Sequence, residues 1–200
     1  MTALVFDVGK VLLEWDLHTL FEPLLGSEHN VDAFLEETDF HAFNLGLDAG
    51  KTFADSLPPL IDRFPHHKSS FEHFRDAWTE CTPGPIDGTA AILEDLKTKG
   101  TPLYAITNFS AENWPKACAK FPFLATSFRD VIVSGAVKML KPDPAIYELL
   151  LTRNGLDAAD CLFIDDSPKN VAGARAVGMQ AIQFTGPHAL RAALTHRGFL

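Results

Sequence analysis

The 200-residue chain is acidic, with a formal net charge of −9 and a pI near 5.3, and 46% of its residues are hydrophobic. That length and composition suffice for one sizeable core, or for one core with a smaller lobe attached. The charge balance, with no run of Lys or Arg, argues against nucleic acid and anionic membrane as partners.

The first element is predicted at Leu4-Val5-Phe6, an apolar run ended by Asp7 and, two residues on, by Gly9. Such a run reads as a buried strand, and in open parallel sheets ligands sit beyond the carboxyl ends of the strands. Asp7 is then either a catalytic carboxylate in the binding crevice or a turn cap, since Asp is common where strands end. From Glu14 to about Pro85 the pattern is helical and aromatic, without a convincing strand. A helix is expected to start near Asp32 with Asn30 as its cap, and a second helical spacing, Lys51 to Phe64, is interrupted by Pro58-Pro59. Phe71, Phe74, Ala77, Trp78 and Cys81 fall on one stripe, read as lobe core. His66, His67 and His73 lie among Pro65, Lys68, Ser69 and Ser70, which points to a solvated loop rather than a zinc site.

Thr82-Pro83-Gly84-Pro85 is the clearest breaker in the chain, and after it helix and strand alternate. A helix over Ile86–Lys99 is closed by Gly100, and strands follow at Pro102–Thr107 and Asp130–Ser134. Lys141-Pro142-Asp143-Pro144 opens a helix that Gly155 ends, and the strand Cys161–Ile164 runs into Asp165-Asp166. A helix over Asn170–Val177, a short strand to Phe184 and a terminal helix within Ala189–Leu200 complete the prediction. The expected fold class is α/β: a doubly wound, Rossmann-like parallel sheet interrupted after its first strand by a small helical insert. The expected boundaries are 1–14 and 85–200 for the α/β core and 15–84 for the insert, which would hang over the strand ends as a lid.

Three strands therefore end in polar residues at one edge: Asp7, Thr107-Asn108 and Asp165-Asp166, with Lys141 opening a helix between the last two. Three carboxylates in one crevice repel, and a hard divalent cation relieves the repulsion. Mg²⁺ fits two carboxylates together with substrate phosphate and water. With Lys141 it supplies about three positive charges, leaving the site near neutral and open to a phosphate. Metal and lysine would hold the phosphate oxygens, Thr107 and Asn108 could donate hydrogen bonds, and Asp7 would attack phosphorus to give an aspartyl-phosphate.

Phe6-Asp7-Val8-Gly9, Thr107-Asn108, Lys141-Pro142 and Phe163-Ile164-Asp165-Asp166-Ser167 with Asn170 resemble the four ordered motifs of the haloacid dehalogenase-like (HAD) hydrolase superfamily. The resemblance spans nearly the whole chain, and the insert falls where that superfamily carries a helical cap. It implies that Asp7 is nucleophile and metal ligand, that Thr107 and Asn108 bind phosphate, and that Lys141 neutralises charge. It makes Asp166 the firmer metal ligand of the acidic pair and Asp165 the second. One position departs from the pattern. Most phosphatases of the superfamily have an acid/base Asp two residues after the nucleophile, where this chain has Gly9. The Gly9 carbonyl can still coordinate metal, but proton transfer to the leaving group loses its usual source, typically a factor of ~10² to 10⁴. Lys10 is either a substrate contact or a surface lysine.

The expected activity is Mg²⁺-dependent hydrolysis of small phosphomonoesters, sugar phosphates among them. The alternatives are a metal-free 2-haloacid dehalogenase, against which the Asp165-Asp166 pair argues, and a catalytically weak phosphate-binding or regulatory protein with Gly9 as the lesion. The substrate would be a small phosphorylated metabolite, selected by the cap. There Phe40, Phe43, Leu45 and Leu47 either face the crevice or, as favoured, pack within the cap. Cys81, Cys118 and Cys161 are odd in number and lack a CxxC spacing. With no charged-then-apolar leader and no apolar run near the ~20 residues of a membrane span, they suggest a cytoplasmic protein with reduced thiols. Monomer and homodimer both remain open.

Overall fold

Every residue of β1 (Ala3–Phe6) is buried, because the sheet it centres is covered on both faces. The computed structural model describes residues 3–200, so the first two residues of the expected core segment lie outside it. β2 (Leu103–Thr107), β3 (Asp130–Val133), β4 (Cys161–Asp165) and β5 (Gln180–Gln183) complete a five-stranded sheet in the order β3-β2-β1-β4-β5. All pairings are parallel.

Register sets the two faces. Leu4 lies opposite Leu103 and Leu162, and Phe6 opposite Ala105 and Ile164, so these six point to one face. Val5, opposite Tyr104 and Phe163, points to the other with Ile106 and Ile132.

Between β1 and β2 run α1 (Leu17–Leu25), α2 (Glu28–Glu37), α3 (Phe40–Asp48), α4 (Phe53–Arg63) and α5 (Lys68–Ala77), then α6 (Thr89–Thr98). After β2 come α7 (Trp114–Lys120) and α8 (Phe123–Thr126), and after β3 α9 (Ser134–Val137) and α10 (Pro144–Asn154). α11 (Pro168–Ala176) and α12 (Pro187–His196) follow β4 and β5. Ile146, Tyr147 and Leu150 of α10 and Ala174 of α11 cover one sheet face. Ile92, Leu93 and Leu96 of α6 and Leu190 and Leu194 of α12 cover the other. That second layer is continuous with an aromatic cluster in α1–α5, where Phe21 meets the rings of Phe34 and Phe40 at 4.9 and 5.3 Å. Phe71, Phe74, Trp78 and Cys81 are buried, as the stripe predicts.

Three local expectations are corrected. Ser27, not Asn30, caps α2, which starts four residues before Asp32: its hydroxyl accepts from the Asn30 N–H, while the Asn30 amide donates to Leu25 O. α4 runs unbroken through Pro58 and Pro59. Buried Phe53 and Leu57, with Leu60 and Ile61 packed beside them, outweigh the backbone bonds the prolines remove. His66 and His67 sit in a single 3-10 turn, Pro65–His67, where both rings bond the Glu37 carboxylate at 3.0 and 3.1 Å; His73 is not part of this cluster.

The chain crosses between sheet and helical segment twice, side by side. Leu13 bridges Pro85 in an antiparallel pair, Glu14 N–H donates to Gly84 O at 2.9 Å, and Ile86 N–H donates to Leu12 O at 2.9 Å. Among the described residues no helix is long and apolar enough to cross a membrane.

Candidate active site

The parallel order places the ends of β1, β2 and β4 next to one another, so Asp7, Thr107 and Asp165 share one sheet edge. The ladder continues one step past β1, where Asp7 N–H donates to Ile164 O at 2.8 Å, fixing the carboxylate to the sheet. Immediately afterwards the chain turns back: Val8 O accepts from the N–H groups of Leu12 and Leu13 at 2.8 and 2.9 Å. Lys10 sits in this turn at φ +59°, a left-handed conformation costly for a residue with a side chain.

Lys141 reaches in from the segment before α10 and is buried at the centre of the cluster. Its Nζ lies 2.7 Å from Asp7 Oδ1, 2.7 Å from Asp165 Oδ2 and 2.9 Å from Ile106 O, which uses all three ammonium donors. The Asn108 side chain holds the Lys141 backbone from both sides: Nδ2 donates to Lys141 O at 3.1 Å, and Oδ1 accepts from Lys141 N–H at 2.8 Å. Asp165 is fully enclosed, taking the Ser167 N–H at 2.8 Å and the Asn170 amide at 3.0 and 3.1 Å besides Lys141. The Tyr147 hydroxyl, bonded to Asn170 O at 2.9 Å, braces that contact from α10. Asp166 is half-buried and forms no ion pair among the described residues.

One buried cation therefore serves two buried carboxylates, with a third close by. Burial pushes the Asp7 carboxyl up to about 7; Lys141 opposes this and Asp165 adds to it. Asp166 is also raised, by burial first and by Asp165 second. Asp7, Asp165 and Asp166 each offer a carboxylate oxygen, all within 4.8 Å of one another. This all-oxygen, charge-deficient donor set fits a hard divalent cation of the Mg²⁺ type. Because the Asp165 oxygens already accept from Lys141, Asn170 and Ser167, Asp7 and Asp166 are the freer donors.

A cavity of about 150 Å³ opens above Asp7. Gly9, Lys10, Asn108, Phe109 and Ser110 line it from the sheet side, and Trp15, Asn44, Asp48 and Trp78 from the helical side. Of the residues expected from the motifs, Asp7, Gly9, Lys10 and Asn108 face this cavity. Lys141 and Asp165 lie beneath it, and Thr107 is buried at the tip of β2, outside the lining. Phe40 and Leu47 are core residues and Phe43 packs against that core, as favoured, whereas Leu45 is exposed and does neither. The helical-side lining was not read from the sequence. One signal was present: Asp48 ends α3, where a negative charge opposes the helix dipole and no basic residue in the last turn compensates.

Residues 1–178 match the haloacid dehalogenase-like hydrolase family. Over 95 residues the chain is 32% identical to a sesquiterpene phosphatase of Aspergillus oryzae, covering 48% of each protein. Over a further 95-residue alignment it is 34% identical to a phosphoglycolate phosphatase of Rhodospirillum rubrum, covering 48% of this chain and 39% of that protein. The chain thus spans about half the length, or less, of these relatives. A HAD family enzyme of Bacteroides thetaiotaomicron, solved with magnesium and inorganic phosphate, superposes with a TM-score of 0.75 over 93% of this chain and 95% of that one. At 22% identity it shares the fold. Three motifs on adjoining strand ends with Lys141 reaching in beside them, a parallel sheet of the expected class and a family match over most of the sequence agree: the chain belongs to the haloacid dehalogenase-like hydrolase family.

Proposed function

We propose that this hydrolase cleaves small phosphomonoesters through an aspartyl-phosphate on Asp7, with Mg²⁺ as cofactor. The observation that carries the reading is the shortage of positive charge around Asp7: among the described residues Lys141 is the one cation paired with the cluster, at 2.7 Å from both Asp7 and Asp165, and Asp166 beside them forms no ion pair. Asp7, Asp166 and the Gly9 carbonyl would hold the ion, with Asp165 in reserve. When bound, Mg²⁺ supplies the charge that lets an anionic phosphate approach an anionic nucleophile. Asp7 attacks phosphorus from a fixed position at the end of β1. Lys141 neutralises the phosphate oxygens and holds Asp7 in line. Asp165 positions Lys141, and Asn108 positions it from the main chain, so the Asn108 contribution to phosphate binding shifts towards its backbone. Thr107 donates from the neighbouring strand tip, and Lys10 contacts the substrate at the cavity wall.

Residues 15–84 act as the cap, closing the cavity with Trp15 and Trp78, so the substrate is a small phosphorylated metabolite, sugar phosphates included. The phosphatase names of the relatives support that class. Three free cysteines suit a reducing cytoplasm. The paired Asp165 and Asp166 favour this chemistry over metal-free displacement of halide by the same Asp7. Assaying a panel of phosphate esters with and without Mg²⁺, beside 2-chloropropionate, tests the reading. Phosphate release that requires the metal is expected; chloride release without metal, or silence throughout, overturns it.

A further inference from the structure

Hydrolysis of an ordinary phosphate ester needs a proton for the departing oxygen and a base for the incoming water. Gly9 supplies neither. Three titratable side chains line the cavity: Asp7, Lys10 and Asp48. Asp7 is the proposed nucleophile and Lys10 is exposed on the rim. Asp48, at the end of α3, remains.

Its placement is fixed from both sides of the cavity. Asn44 Nδ2, one turn earlier on α3, donates to Asp48 Oδ2 at 3.2 Å. The Ser110 main-chain N–H, from the loop after β2, is close enough to favour the ionised carboxylate. The Ser134 hydroxyl accepts from Phe109 N–H at 2.8 Å and donates to Asp48 O at 2.6 Å, tying that loop to the last residue of α3. Gly135 permits the approach: a Cβ there would lie 2.8 Å from Phe109 O and 3.2 Å from Leu47 O. Burial pushes the Asp48 carboxyl up to about 7, against the Ser110 N–H and the charge of Lys141, so at neutral pH it can both carry and accept a proton.

We propose that Asp48, contributed by the helical segment, is the general acid/base that replaces the missing side chain at Gly9. The inference rests on the phosphatase reading above. In the first step Asp7 Oδ forms a bond to phosphorus, the ester P–O bond breaks, and the Asp48 carboxylic acid gives its proton to the departing alkoxide, leaving an alcohol. In the second, the Asp48 carboxylate takes a proton from water as the water oxygen bonds phosphorus. The P–O bond to Asp7 breaks, releasing phosphate, the Asp7 carboxylate and a reprotonated Asp48. A purely structural Asp48 would latch the helices to the loop after β2 and move no proton.

Leaving-group dependence separates the two roles. With Mg²⁺ present, kcat/KM is measured for wild type and Asp48→Asn across esters from nitrophenyl phosphate to simple alkyl phosphates. The amide keeps an acceptor for Ser110 N–H but cannot donate the proton. The expected result is a fall of ~10² to 10⁴ on alkyl esters with a much smaller fall on nitrophenyl phosphate. With nitrophenyl phosphate a burst of nitrophenol should appear as the phospho-enzyme accumulates. Asp48→Glu should retain the shallow dependence of wild type. Gly9→Asp in the Asp48→Asn background should recover alkyl ester turnover, since a Cβ at Gly9 meets nothing within 4 Å. Should Asp48→Asn fail to fold, Asp48→Ser, which keeps a polar acceptor but no acid of suitable pKa, takes its place: a steeper dependence than wild type supports the proposal, an unchanged one overturns it. A wild type active on esters, with equal losses across the series or none, overturns the role of Asp48 alone. A wild type silent on every ester with Mg²⁺ overturns the phosphatase reading and this inference with it.

Discussion

The floor and the wall of the cavity are built on different physical grounds. On the floor, Asp7, Asp165 and Lys141 are buried charges held by strand ladders and by a closed set of hydrogen bonds. The wall, Asn44 and Asp48 on α3, Trp15 just before α1 and Trp78 just after α5, is positioned by packed rings such as Phe21, Phe34 and Phe40. Parallel pairing leaves little freedom in where a strand tip points, whereas helix packing tolerates shifts of contact. The difference teaches that the paired buried charges sit where the backbone dictates geometry, and the wall residues where side-chain packing does.

The contrast breaks most visibly at the proposed nucleophile. Asp7→Asn should lower turnover by about 10⁴-fold or more while the protein still folds, because the floor loses its attacking oxygen but keeps its shape. Steady-state assay with a thermal melt checks both halves; appreciable residual turnover would remove Asp7 from its role. Next comes the acidic pair, whose members should fail differently. Asp165→Ala leaves Lys141 short of a buried partner and should cost about 3 to 5 kcal/mol in urea unfolding. Asp166→Ala should leave stability nearly unchanged yet weaken Mg²⁺ binding more than Asp165→Ala does, read by calorimetric titration. The same order of effects in both measurements would erase the distinction between brace and ligand.

A pH titration of stability without metal addresses floor and wall together. Asp7 and Asp48 both have folded-state values raised from 3.8 to about 7, so the folded protein binds protons more tightly than the unfolded chain. Their contribution is fully present below pH 3.8 and is lost as pH rises through about 7. Stability should therefore decline across that window and level off above it. Asp48→Asn should remove part of the slope, and a slope of opposite sign would refute the assignment. The smallest effect concerns the rim: Lys10→Gly relieves the left-handed backbone and should raise stability by about 1 kcal/mol, seen as a higher melting temperature.

The floor's carboxylates were legible in the sequence because each follows an apolar run that reads as a buried strand: Val5-Phe6 before Asp7, Phe163-Ile164 before Asp165. A parallel sheet then puts both at the same edge, and the observed order makes them neighbours. The wall was illegible for the opposite reason. Trp15 and Trp78 lie far apart in the chain, and only tertiary packing sets their rings 5.5 Å apart. The unbroken α4 shows the same override, with buried Phe53 and Leu57 holding a helix that Pro58 and Pro59 argue against. Asn108 shows a subtler loss. Its motif named the position, but which partner its amide would choose, the Lys141 backbone at both ends, depends on a loop 33 residues later.

The paired crossings at Leu12–Glu14 and Gly84–Ile86 make the helical segment a branch on a single stem. Because both ends of the branch leave the trunk at one place, its length and sequence can vary without altering any strand pairing below. A different branch grafted at Glu14 and Gly84 would meet the same carboxylates and the same lysine, and would present them to a different molecule.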